Sequence, residues 1–128
     1  MKKLLFTVLS LSIIFLITMT SAAAQEYEIG ISQFVEHPSL DLAREGFIDQ
    51  LAEEGFVEGE NLKIDLQNAQ ADFSTAQTIA QRFRQNGLDL VLAIATPSAQ
   101  TAANVISNTP VLITAVTDPV EAGVVETM

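Results

Sequence analysis

The sequence predicts an α/β fold: a parallel sheet with helices on both of its faces. Three observations carry this expectation. Segments of strand character alternate with segments of helical period in the order β-α-β-α-β-α-β. The later strands, Leu90 to Ile94 and Val111 to Val116, are continuous apolar runs, the pattern of strands buried on both sides. The connections are short, so each strand passes directly into the helix that returns the chain to the sheet.

Residues 1–24 stand outside this pattern. Lys2 and Lys3 form a basic start, Leu4 to Ile17 is nearly all apolar, and Ala22-Ala23-Ala24 supplies the small residues of an A-x-A site. The segment reads as a secretory signal peptide cleaved between Ala24 and Gln25, which makes 25–128 a periplasmic or extracellular α/β unit. Tyr27 to Gln33 alternates and is expected to be the first strand. After a loop from Phe34 to Pro38, the apolar positions Leu40, Ala43, Phe47, Ile48 and Leu51 recur at helical spacing until Gly55 closes the element. Leu62 to Leu66 alternates as a second strand that ends near Asn68. Ser74 and Gln77 have the spacing of a capping box, Ala76, Ile79, Ala80 and Phe83 share one helical face, and Gly87 takes the C-terminal glycine position.

The stretch Leu88 to Asn104 is the most informative. Its apolar run ends at Thr96, which has the residue type of an N-cap, and Pro97 suits the first helical position, where a missing N–H costs nothing. An alanine-rich helix follows. A buried strand thus leads straight into a helix whose free N–H groups face the space beyond the sheet, an arrangement suited to an anion such as a ligand carboxylate. Asn108-Thr109-Pro110 forms a turn before the fourth strand, which Thr117-Asp118-Pro119 breaks.

Composition narrows the function. The chain carries a formal net charge of −10, and removal of Lys2 and Lys3 with the leader leaves four basic against sixteen acidic side chains, a net −12. Nucleic acid and anionic lipid surfaces are poor partners for such a charge. The 128 residues contain no cysteine, hence no disulfide, no lipid-attachment cysteine and no thiolate nucleophile. They contain no GxGxxG or GxxxxGK[ST] cradle for a dinucleotide or nucleoside triphosphate and no GxSxG elbow, and His37 is the lone histidine. Neither a cofactor nor a metal centre is expected, and no paired acid/base or nucleophile points to an enzyme. Asp41, Glu45, Asp49 and Glu53 recur every fourth residue and read as a solvated acidic face.

Ligands of open parallel sheets lie beyond the carboxyl ends of the strands. Four stretches fall there: Phe34 to Pro38, Asn68 to Phe73, Ala95 to Ser98, and Thr117-Asp118. In the third, the hydroxyls of Thr96 and Ser98 stand beside the helix N–H groups, and both readings, ligand contact or local capping, stay open. Phe34 either stacks on a ligand or covers the core edge; Asp118 either holds an ammonium group or starts a turn.

Block by block, the chain resembles a known family. IGISQFVEHPSLDLAREGFIDQL, GFVEGENLKID, NAQADFSTAQTIAQRF, DLVLAIATPSAQTAAN and PVLITAVTDPVEAG, together spanning Glu28 to Val124, are similar to ABC-transporter substrate-binding proteins of the tryptophan/tyrosine uptake type. The resemblance implies a type I periplasmic-binding-protein fold, two α/β lobes closing on a ligand about a hinge. It also implies that Phe34, Val35, Glu36 and His37, with Ala95, Thr96, Pro97 and Ser98 and with Thr117 and Asp118, line the cleft. On this reading 25–128 is the first lobe, and the second lobe is expected beyond Met128. The implied role is capture of an amino acid or similar small ligand by a monomeric exported protein that delivers it to a membrane permease. A ligand-sensing extracellular module of the same fold and a small exported α/β enzyme are the alternatives.

Overall fold

The computed structural model describes residues 25–126. The expected signal peptide, including Ala24 of the cleavage site, lies outside the described residues. The elements are β1 (Tyr27–Gln33), α1 (Pro38–Glu53), β2 (Leu62–Asn68), α2 (Phe73–Asn86), β3 (Leu90–Ile94), α3 (Thr96–Val105) and β4 (Val111–Thr114). All strands are parallel, in the order β2-β1-β3-β4.

That order explains the helix placement. The chain steps from β1 to β2 in one direction, and from β2 to β3 and β3 to β4 in the other. Right-handed crossovers therefore put α1 on one face of the sheet and α2 and α3 on the opposite face. Two cores result. Beneath α1, Ile29, Ile31, Leu62, Leu92 and Ile94 pack against Leu40, Phe47, Ile48 and Leu51. On the other face, Ala76, Ile79, Ala80 and Phe83 of α2 meet Val91, Ala93, Ala99 and Ala102. The alanines let these helices approach the sheet closely. Gly30 in the middle of β1 takes this to its limit: a Cβ there would lie 2.6 Å from Leu88 Cδ1 and 2.9 Å from Phe83 Cδ2.

The register makes the carboxyl edge nearly flush. Gln33 stands opposite both Asn68 and Ile94, and Ile94 stands opposite Thr114. The loops leaving the four strands therefore emerge side by side along one edge.

Strands β1 and β3 and the buried face of α2 fall where the sequence puts them. Two helix starts differ. Asp72, not Ser74, caps α2: its carboxylate accepts from Thr75 N at 2.6 Å and from the Ser74 hydroxyl at 2.6 Å. A charged acceptor outcompetes the neutral serine, which becomes one of its donors. At α3 the N-cap is Ala95, and Thr96 is already helical, with no side-chain cap bond at this end. Strand β2 runs on to Asn68, and β4 stops at Thr114 because Ala115 adopts φ 56 and leaves the sheet. Among the described residues no helix is long and apolar enough to cross a membrane.

Candidate functional site at the carboxyl edge

Four non-glycine residues adopt positive φ among the described residues: Gln70 (53°), Ala71 (61°), Ala95 (78°) and Ala115 (56°). All four lie in the loops that leave β2, β3 and β4 at the carboxyl edge. Such conformations cost on the order of 1–3 kcal/mol each and persist where the surroundings impose them, which is characteristic of binding sites. Among the described residues, the amino edge contains no such residue outside glycine.

The loop after β1 is held by a polar network. Gln33 is fully buried at the last position of β1, and its Nε2 donates to Val35 O at 2.9 Å and to Asp41 Oδ1 at 2.8 Å. Arg44 Nη1 donates to Gln33 Oε1 at 2.7 Å and to Asp41 Oδ1 at 3.0 Å. Strand end, loop carbonyl and the first turns of α1 are thereby tied into one unit. Phe34 is half-buried against the α2/α3 core, and Val35 is half-buried as well; Glu36 and His37 stand exposed. His37 caps α1, its Nδ1 accepting from Ser39 N at 3.2 Å.

The loop after β2 is laced to the loop after β1. Ala69 N donates to Gln33 O at 2.9 Å, and Ala71 N donates to Phe34 O at 2.8 Å. The lacing brings the rings of Phe34 and Phe73 to a centroid distance of 5.1 Å at an interplanar angle of 55°. Phe73 nevertheless remains 61% exposed.

At the loop after β3, Ala95 (φ 78, ψ 154) turns the chain so sharply that α3 starts at once. Thr96 and Pro97 are half-buried, whereas Ser98 is fully buried, and its Oγ pairs with Ser32 Oγ at 3.3 Å. The Ser98 hydroxyl thus joins the start of α3 to β1 beneath the edge. Beside this helix start a hollow of ≈ 270 Å³ is lined by Thr96, Gln100, Thr117, Asp118, Glu121 and Ala122. Thr117 and Asp118 are exposed there. Asp118 Oδ1 accepts from Val120 N at 3.1 Å and Glu121 N at 2.9 Å, so this carboxylate starts a turn.

The structure therefore brings the three sequence-predicted loops together along one edge. Sequence reasoning missed the clasp of Gln33, Asp41 and Arg44 and the partnership of Phe73 with Phe34. The i, i+3 spacing of Asp41 and Arg44 is visible in the sequence but does not single out the clasp, because the burial of Gln33 leaves no local signal. A larger hollow of ≈ 390 Å³ opens at the opposite, amino edge, between Tyr27, Ile29, Leu51, Phe56, Asp89 and Leu90. Its one charged group, Asp89, is engaged by Glu28 N at 2.8 Å, so that hollow lacks convergent polar groups.

The parallel α/β unit thus gathers its strained loops beside the N-terminus of α3. Residues 28–128 match the family described as ABC transporter substrate binding protein, and the chain belongs to that family. It is 54% identical over 104 residues to the "Tyrosine-binding protein" of Clostridioides difficile (strain R20291), covering 81% of this chain and 30% of that protein. Among solved structures it is similar to a ligand-free, open substrate-binding protein with adhesive properties from Clostridium difficile, at 54% identity and TM-score 0.77 over 79% of this chain and 34% of that one. A conserved domain protein from Vibrio cholerae matches at 40% identity and TM-score 0.79, covering 80% and 35% of the two chains. An ABC domain from Streptococcus pneumonia in complex with L-Trp matches at 44% identity and TM-score 0.76, again covering 80% and 35%. The chain spans about a third of the length of these relatives.

Proposed function

We propose that this chain supplies the N-terminal lobe of an exported solute-binding component of an ABC importer. The ligand is an amino acid, aromatic in class, taken between this lobe and a second one and delivered to a membrane permease. The observation that carries the reading is the convergence of the loops after β1, β3 and β4 at the open start of α3, in a chain of this family. The backbone N–H and the hydroxyl of Thr96, at the open start of α3, take the ligand carboxylate, where the helix dipole favours a negative charge. Asp118 Oδ2 and Thr117 face the ammonium group, and the Phe34–His37 loop forms the remaining wall of this lobe. No catalytic step, metal or cofactor enters this scheme. The relatives named for tyrosine and bound to L-Trp support the ligand class.

Export follows the leader reading: cleavage after Ala24 leaves Gln25 as the mature N-terminus, directly before β1.

One preparation tests both parts. The gene product is purified from the cell exterior or envelope, its N-terminus is read by mass spectrometry, and L-tryptophan, L-tyrosine and L-leucine are titrated by calorimetry. The expected result is a chain starting at Gln25 that binds one aromatic amino acid per protein with micromolar or better affinity, about −8 kcal/mol. An intact Met1 would refute export by cleavage. Absence of saturable heat with every amino acid tried would refute the ligand class.

A further inference from the structure

Phe73 is an exposed aromatic side chain at the carboxyl edge. It is 61% exposed, yet it is held in place more firmly than an exposed ring requires. Two consecutive positive-φ residues, Gln70 and Ala71, precede it. Two backbone hydrogen bonds lace its loop to the loop after β1, and the Asp72 carboxylate fixes the start of α2 immediately before it. Nothing in the packing of α2 demands this investment, because the buried face of the helix begins only at Ala76. The outcome is a two-ring surface, Phe34 half-buried and Phe73 outward, with centroids 5.1 Å apart.

The position of this surface relates it to the start of α3. Phe34 leaves β1, Thr96 leaves β3, and β1 and β3 are neighbours whose ends are in register at Gln33 and Ile94. Phe34 N donates to Ile94 O at 3.3 Å, which ties the two exits together. Helices α2 and α3 also share one face of the sheet. The exit of Phe34 and the start of α3 are thus about one strand spacing apart, roughly 4.8 Å, and Phe73, which follows β2 on the far side of β1, stands at the next exit along the same edge. A small ligand anchored by its carboxylate at α3 can lay a flat ring against Phe73, where tilted or offset aromatic contact is favourable.

We propose that Phe73, supported by Phe34, is a specificity-determining residue that selects an aromatic ring on the ligand. The inference rests on the amino-acid reading above. Phe73→Ala and Phe73→Leu remove the ring from an exposed position and leave the buried face of α2 intact. Calorimetry on the gene product and both variants, with L-tryptophan, L-tyrosine and L-leucine, reads the effect. The expected outcome for both variants is about tenfold or greater weakening toward the aromatic ligands, with affinity for L-leucine within about twofold of its original value and a cooperative melting transition retained. Phe73→Tyr retains the preference. Unchanged aromatic affinity in the two variants would overturn the role of Phe73 while leaving amino-acid binding intact. Equal loss for aromatic and aliphatic ligands would likewise overturn it, by assigning the residue a general structural part. A parent protein that binds no amino acid would overturn both readings.

Discussion

At the scale of single residues, the polar clasp at the end of β1 governs the shape of the site. Gln33 has no contact with water, so each of its amide bonds counts at near its full desolvation value. Arg44 satisfies Gln33 Oε1 and anchors Asp41, so Arg44→Met leaves a buried acceptor without its donor and a half-buried carboxylate held by Gln33 Nε2 alone. We expect this substitution to cost about 1–3 kcal/mol in chemical denaturation. A cost below about 0.5 kcal/mol, the scale of an exposed ion pair, would show that the clasp contributes little. Little of this was legible beforehand. Asp41 looks like one member of an acidic face shared with Glu45, Asp49 and Glu53, and spacing alone does not separate it from them. What separates it is the burial of Gln33, a tertiary property set by the strands on either side of β1. Ser98 teaches the same lesson. Its residue type suits a ligand contact or a cap, yet its hydroxyl lies under the edge against Ser32.

At the scale of elements, strand and helix identities were readable because each has a strong local cause. The run Leu90–Ile94 is apolar throughout, Val111–Ile113 opens the fourth strand in the same way, and α2 carries its four buried residues at helical spacing. Helix starts were less legible, since several polar residues compete for each cap and local geometry decides between them. At α2 the winner is charged, and this has a pH consequence. The Ser74 hydroxyl and the Thr75 N–H, both donating to Asp72, hold its carboxyl below its ordinary 3.8. A carboxyl depressed in the folded state stabilises it above the ordinary value, and that contribution disappears as pH falls through the lower, folded value. Asp72→Asn keeps a capping oxygen but no titrating charge. The melting temperature of the parent should therefore exceed that of Asp72→Asn at pH 6, with the gap closing as the pH is taken below 3.8. A gap that stays constant across this range would show that the charge on Asp72 plays no part.

At the scale of the whole molecule, the sheet divides labour between its two edges. The amino edge carries a satisfied ion pair, Lys63 donating to Glu28, and the apolar hollow lined by Tyr27, Phe56 and Leu90. The carboxyl edge carries all four strained non-glycine residues, the open turn of α3 and the exposed ring of Phe73. Parallel topology was legible in the sequence, and with it the edge where a ligand belongs, because the location follows from strand direction alone. The measurement that tests this division most directly is a ¹H–¹⁵N chemical-shift titration of the gene product with L-tyrosine. The largest perturbations are expected on the amides of Phe34, Phe73, Thr96, Ser98 and Thr117. Perturbations centred instead on Tyr27, Phe56, Asp89 and Leu90, with the carboxyl edge unmoved, would place the ligand in the amino-edge hollow and contradict this division.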